Sequence, residues 1–359
     1  MKKKRIIFCA YNLDVGGIET SLVNLLCNLD YEKYDVTLFL TKKEGVFLNK
    51  VPENVKIIDF NVCESKNILF RKIVNFLKLN YFKIRYKNKY DFSAAYATTI
   101  KACTKLAYHF SSNNAIWVHG DFSFHYPNDK DLKNFIDYIN IRKYKKIVFV
   151  SNSSKENLLK RGYNFNAKTY VFNNFIDYKQ IEKMSQKERI KKTKTTFINV
   201  GRQKDDEKNL FMMLNVINRL VKENYKFELW MIGDGPDHEA YKNYVTKNNL
   251  DGVVKFLGKK KNPFVYYKVA DAILLSSHAE GNPVVFMEAK VLGVPIITTE
   301  VSDAIKDIKN KYGIVTKKTE NDYYNGIKEF LDKGFKMKKF DPQKYNDEVL
   351  EKLYDVIDR

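Results

Sequence analysis

Residues 272–299 constrain the fold more than any other stretch. They begin with a short apolar run at 272–275, cross a polar loop, open a helix near Pro283, and end in a second apolar run at 294–298. Short apolar runs flanking a helix read as neighbouring strands of a parallel sheet, because both faces of such a sheet are covered. Two carboxylates, Glu280 and Glu288, bracket the helix start with seven residues between them. A helix N-terminus carries unpaired N–H groups and partial positive charge, so it attracts anions. Glu280 precedes that point, and Glu288 lies about a turn and a half inside the helix. The arrangement suits a ligand with a phosphate and several hydroxyls. The amides take the phosphate, and the carboxylates accept from the hydroxyls.

The same strand–loop–helix rhythm runs through all 359 residues. In the first half, apolar runs at 5–10, 34–40, 55–60, 91–98, 115–119, 145–151 and 168–173 read as strands. A helix is expected over 18–29, and another after 151, capped by Ser153 or Ser154. Gly16 and Gly17 stand between the first strand and its helix, where backbone N–H groups can approach a ligand closely. A tight turn alone would also explain them. The three spaced glycines of a dinucleotide fingerprint are missing, which disfavours a dehydrogenase. His119 ends its strand at the edge where open α/β sheets bind ligands.

In the second half, strands are expected at 195–200, 227–233 and 254–257, before the pair at 272–275 and 294–298. Helices are expected at 210–223, 323–333 and 345–357. Arg202 and Lys208 flank the loop after the first of these strands and can clamp a diphosphate, Arg by its fork and Lys as a point charge. Gly233 opens a Gly-Asp-Gly-Pro turn that either hugs a ligand or simply reverses the chain. A polar connector at 173–177 parts the two halves. The expected class is therefore α/β: two doubly wound Rossmann-like domains facing each other across a cleft, residues 1–176 and 177–339. Residues 340–359 form a last helix able to pack back on the first domain.

Lys and Arg number 63 against 43 Asp and Glu, a formal charge of +20. Such a surface attracts nucleic acid, anionic lipid or phosphorylated substrates. A lysine-rich composition in general is the bland explanation. No nucleic-acid-binding motif is present, so nucleic acid is not expected as a partner.

The charge concentrates at residues 68–89. There Leu69, Ile73, Leu77, Tyr81 and Ile84 recur at helical spacing. Arg71, Lys72, Lys78, Lys83, Arg85, Lys87 and Lys89 interleave with them, and no acid intervenes. Two readings stand: an interfacial element on an anionic membrane surface, or a core-packed helix with a solvated basic face. The four cysteines, Cys9, Cys27, Cys63 and Cys103, lack metal-ligand spacing, and several of them fall in apolar runs and read as reduced core thiols. No signal peptide is visible, and no run approaches the roughly 20 apolar residues of a membrane span. A cytoplasmic chain is expected, peripheral at the inner membrane face if the basic helix docks.

Taken together, Gly16-Gly17 with Glu19, His119, Gly201-Arg202 with Lys208-Asn209, the Gly233 turn and the Glu280-x7-Glu288 pair resemble family 4 of the GT-B glycosyltransferases. The resemblance covers nearly the whole chain. It implies a retaining enzyme with an acceptor-side first domain and a second domain that binds a nucleotide-diphosphate sugar, UDP-hexose or UDP-N-acetylhexosamine. It implies that Glu288 binds the nucleotide ribose and that Glu280 lies by the donor sugar, with Gly281 and Asn282 near its hydroxyls. Arg202 and Lys208 would hold the diphosphate at the helix opened by Pro283 and Val284. Gly16 and Gly17 would approach phosphates and acceptor, Gly233 would lie by the donor, and His119 would contact the transferred sugar.

Acceptors in such families are glycans or lipid-linked glycans of capsule, exopolysaccharide or lipopolysaccharide. No Asp-x-Asp stands at a strand end, so metal independence and no cofactor are expected. This chain departs from the family pattern at Phe175, where relatives often carry Gly, in a longer loop between Arg202 and Lys208, and at residues 300–303, where relatives often carry Gly-Gly. A sugar-nucleotide epimerase of the same layout and a non-catalytic basic membrane- or nucleic-acid-binding protein are the alternatives.

Overall fold

All seven apolar runs of the first half enter one parallel sheet. Its strands are β1 (Lys4–Ala10), β2 (Tyr34–Leu40), β3 (Lys56–Asp59), β4 (Phe92–Ala95), β5 (Asn114–Val118), β6 (Lys146–Phe149) and β7 (Lys168–Val171). They lie in the order β3-β2-β1-β4-β5-β6-β7. The second half forms a separate parallel sheet from β8 (Thr195–Val200), β9 (Phe227–Ile232), β10 (Val254–Gly258), β11 (Ala272–Leu275), β12 (Ile296–Thr299) and β13 (Gly313–Thr316). Its order is β10-β9-β8-β11-β12-β13. The edge strand β13 is four residues long and carries too little pattern to be read from sequence. The structure, a computed structural model, describes residues 2–14, 16–303 and 305–359. The chain divides into two units, Met1–Ile176 with Gln343–Arg359, and Asp177–Pro342.

Each sheet reverses its strand order once, between β1 and β4 in the first unit and between β8 and β11 in the second. Loops leaving the carboxyl ends at such a switch point part to opposite faces and leave a crevice. Each unit's crevice positions its own candidate residues, the glycine turn in the first unit and the two other loops in the second. The Gly16–Gly17 turn follows β1, the Arg202–Lys208 loop follows β8, and the Glu280 loop follows β11.

The first unit has one continuous apolar core. The Pro342–Asp358 helix contributes Val349, Leu353, Val356 and Ile357 to it. Buried Lys146 donates to the Val356 carbonyl at 2.6 Å, and Lys4 pairs with Asp358 at 2.8 Å. Burial lowers the Lys146 pKa to about 8, with Lys168 adding to the shift. The connector is ordered by the same unit: Asn24 donates to the Phe175 carbonyl at 3.0 Å, and Asn346 both donates to and accepts from the Ile176 backbone. Phe175, where a glycine was expected by resemblance, is a buried core residue. In the second unit, apolar side chains cover both faces of the sheet in two clusters.

Three local expectations are corrected. The Asn152–Lys160 helix is capped by Ser151, whose hydroxyl accepts from the Ser154 N–H at 3.2 Å, rather than by Ser153 or Ser154. An Ncap side chain must precede the first helical residue, and here the chain turns helical earlier than its pattern indicated. The stretch between Gly201 and Asn209 is not a plain loop: Asp205–Lys208 makes one helical turn, closed by Asn209 in the left-handed region (φ 50°). Asn tolerates that region better than most residues. Finally, the Ile68–Arg85 helix buries no residue fully. Its periodic apolar residues face solvent, so it is not the core-packed helix with a solvated basic face.

Candidate active site

The second unit zips its carboxyl-edge loops together with a few polar contacts. Ser276, just past β11, donates to the Lys208 carbonyl at 2.8 Å. The His278 N–H donates to the Glu207 carbonyl at 3.0 Å, and the Glu280 N–H to the Val301 carbonyl at 3.2 Å. Thr299, at the end of β12, donates to the Ser277 carbonyl at 2.8 Å. Three consecutive crevice loops are thereby held as one surface. The 300–303 segment, where a Gly-Gly was expected by resemblance, serves as a backbone rest for Glu280.

On this surface Lys208 and Glu280 meet. Lys208 Nζ lies 2.5 Å from Glu280 Oε1, and Ser277 donates to the same oxygen at 2.8 Å. The lysine stem lies over Gly201: a Cβ there would sit 3.9 Å from Lys208 Cε. Arg202 follows Gly201 and is exposed, with no ion-pair partner among the described residues. The Val284–Leu292 helix opens beside Glu280. Its N-cap position is Pro283, which provides no side-chain cap, and no acid occupies its first turn. The Phe286 N–H already donates to the Pro283 carbonyl at 3.0 Å, so the Val284 and Val285 N–H groups are the ones left for an outside acceptor. Gly281, Asn282 and Pro283 are buried and Val284 is half-buried.

Glu288 has a partner of its own, Tyr267. It is 9% exposed, and its Oε2 accepts from the Tyr267 hydroxyl at 2.8 Å. That hydroxyl is itself pushed above its usual range, by burial first and then by the Glu288 charge. Ser277, Thr299 and Tyr267 were not singled out from sequence. Ser277 follows a strand and Thr299 ends one, so both were open to the same reasoning as His119. Tyr267 stands 21 residues before Glu288, and only the fold brings it there.

Gly233 has an explanation within the protein. Its φ is +132°, and a Cβ there would fall 1.9 Å from the Gly201 carbonyl oxygen. A Cβ on Gly235 would fall 2.2 Å from the Gln203 carbonyl oxygen. The two loops touch backbone to backbone, with the Gln203 N–H donating to the Asp234 carbonyl at 3.0 Å. Only glycine fits such an approach.

The first unit has its own cluster at the switch point. Tyr96, beyond β4, shares a 2.6 Å hydrogen bond with Ser21 on the Gly17–Asn28 helix, and Ser21 donates to Asn174 at 2.7 Å. The Tyr96 ring lies 4.6 Å from the His119 ring. Gly17 faces open space, whereas a Cβ on Gly16 would press on the Glu19 carboxylate. His119 is part-exposed, but its Nε2 is sealed from solvent and has no hydrogen-bond partner. Burial lowers its pKa to about 4, opposed by a hydrogen bond with the Tyr96 backbone. The imidazole is therefore neutral at pH 7, able to accept a hydrogen bond from a hydroxyl without taking up charge.

This has a consequence for stability. The unfolded chain takes up a proton near the ordinary value of 6.5, and the folded chain near 4. Stability rises with pH wherever the unfolded state binds more protons. The His119 contribution is thus present above pH 6.5 and is lost as pH falls towards 4. A His119→Gln variant is expected to lose less stability across that window, by roughly 2 kcal/mol relative to the parent. Denaturant melts at pH 7 and pH 4.5 measure it; equal losses in both proteins would contradict the buried neutral ring.

Residues 180–347 match the family described as "Glycosyl transferases group 1". The chain is 26% identical over 197 residues to an uncharacterized glycosyltransferase of Methanocaldococcus jannaschii. That match covers 49% of this chain and spans about half (48%) of the archaeal protein. It is 25% identical over 301 residues to the UDP-Gal:alpha-D-GlcNAc-diphosphoundecaprenol alpha-1,3-galactosyltransferase of Escherichia coli, covering 79% of this chain and 76% of that one. Among solved structures, TarM of S. aureus in complex with Fondaparinux, alpha-GlcNAc-glycerol and UDP superposes with a TM-score of 0.77 at 12% identity. There 99% of this chain and 100% of the other are covered. Residues 180–347 are thus similar to the glycosyl transferases of group 1, and the two parallel sheets have the fold of GT-B structures.

Proposed function

We propose that the chain transfers a hexose or N-acetylhexosamine from a UDP-sugar to a glycan or lipid-linked glycan acceptor, with retention of anomeric configuration. The observation that carries the reading is the convergence of Lys208, Glu280 and an uncapped helix N-terminus at the switch point of one sheet. UDP in the TarM complex, and the UDP-galactose donor named for the E. coli relative, favour this donor class.

Breaking the bond at the anomeric carbon leaves negative charge on the diphosphate. Arg202, Lys208 and the N–H groups after Pro283 would stabilise it, an electrostatic form of catalysis that needs no divalent cation. The lysine ammonium has three donors, and Glu280 engages one. Glu280 uses Oε1 for Lys208 and Ser277, leaving Oε2 to accept from a donor-sugar hydroxyl. Bound in that way it acts as a positioning carboxylate rather than a covalent nucleophile. Glu288 would take the ribose hydroxyls, oriented by Tyr267. The acceptor oxygen attacks from the leaving-group side, and the departing phosphate takes its proton. In the first unit, Gly17 and neutral His119 are the groups proposed for acceptor and transferred sugar, with Gly16 shaping the turn.

A panel of nucleotide sugars tests this. Ligand bound only by the folded state stabilises it by about 2.7 kcal/mol at a hundred times its Kd. A UDP-sugar is expected to raise the melting temperature, equally with and without EDTA. A shift restricted to adenine nucleotides would sink the donor assignment, and a shift abolished by EDTA would sink the metal-free clamp.

A further inference from the structure

The Ile68–Arg85 helix turns its apolar stripe outward. Leu69, Phe76 and Ile84 are 69%, 66% and 77% exposed, and Phe70, Ile73, Leu77 and Tyr81 are exposed beside them. A helix on a globular surface normally points such a stripe at the core, and isolated exposed apolar residues mean little. A contiguous stripe along five turns marks a surface that meets something apolar.

The helix is held firmly by its other side. Asn75 donates to and accepts from the Cys63 backbone at 2.9 and 2.8 Å. Phe82 packs 5.4 Å from both Phe39 and Phe60, and Tyr86 stacks on Phe82 at 5.8 Å. The outward stripe is therefore a fixed presentation, not a helix left loose.

Charge tells what it meets. With 3.6 residues per turn, the stripe centres on Ile73, Leu77 and Ile84. Lys78, whose ammonium also donates to the Asn61 carbonyl, and Arg85 fall along one border, Lys72 and Lys83 along the other, and Arg71 lies exposed further round the first turn. No Asp or Glu occurs between Glu64 and Asp91, and Glu64 is itself paired with Lys42. Two cationic rows flanking an apolar centre complement a bilayer with anionic headgroups. The long Lys and Arg stems reach phosphates while the apolar centre enters the acyl boundary. A second copy of this chain would oppose like rows to like rows, which disfavours self-association.

We propose that residues 68–85 are a membrane-docking helix that lies flat on an anionic lipid surface. The helix serves this role whether or not the donor assignment above holds. No helix among the described residues is long and apolar enough to cross a membrane, so docking is interfacial.

Flotation of the full chain with two sets of vesicles tests it: phosphatidylglycerol mixed with phosphatidylcholine, and phosphatidylcholine alone. Binding is expected to the first set, to weaken with salt, and to be far weaker for the second. Each Lys or Arg near an anionic surface contributes about fivefold, so R71Q/K72Q/R85Q should bind roughly 10²-fold more weakly. L77Q/I84Q, which removes two inserted side chains, should lose a similar factor even at low salt. All five residues are exposed, so unchanged melting temperatures should separate lost docking from lost folding. Equal binding by the variants, or no binding by the parent, overturns the proposal. So does a parent dimer in sedimentation that L77Q/I84Q dissociates without any vesicle binding.

Discussion

Lys208→Ala will reduce turnover by roughly 10²-fold or more, the usual loss when a group that stabilises developing charge is removed. The lysine sits on one helical turn whose carbonyl is held by Ser276, and its ammonium reaches Glu280 at 2.5 Å. It can swing little without leaving the crevice surface. The pair is partly solvated, with side chains 25% and 17% exposed. Such a pair contributes about 1 kcal/mol or less to stability, so the folded fraction will hardly change. Turnover with saturating donor, next to a thermal melt of the same preparation, separates the two effects. Parental turnover in a well-folded Lys208→Ala protein would remove the clamp from the mechanism.

The second large effect falls on folding. In Gly233→Ala the new methyl meets the Gly201 carbonyl oxygen at 1.9 Å, and the backbone must keep a φ of +132°. Strain of this kind costs of order 1–3 kcal/mol, and overpacking adds a comparable amount. A loss of about 3 kcal/mol or more is expected, read from the denaturation midpoint. Gly17→Ala makes the contrast. Nothing lies within 4 Å of its added Cβ, so stability should hold while any loss appears in substrate binding. If Gly233→Ala melts like the parent, the loops after β8 and β9 do not pack as described.

The strands and the loops that follow them were legible because burial of both sheet faces imposes apolar runs, and loop residues answer local rules. That logic placed Arg202, Lys208, Glu280 and His119 at carboxyl edges. It did not reveal that Gly233 serves the neighbouring loop, since a glycine looks the same whether a ligand or a carbonyl approaches it. Nor did it reveal the Tyr267–Glu288 bond or the Ser277–Glu280 bond, which depend on packing between elements.

The chain's own pattern determined the alternation, the two sheets, and which residues stand at strand ends, because these follow from periodicity over a few residues. Tertiary structure alone decided that Glu280 takes Lys208, that Glu288 takes Tyr267, and that the apolar stripe of the Ile68–Arg85 helix faces out. Periodicity marks which side of a helix is apolar, but it carries no record of what covers that side. Asn75 and Phe82 hold the opposite side to the domain, and that choice of side is a long-range contact.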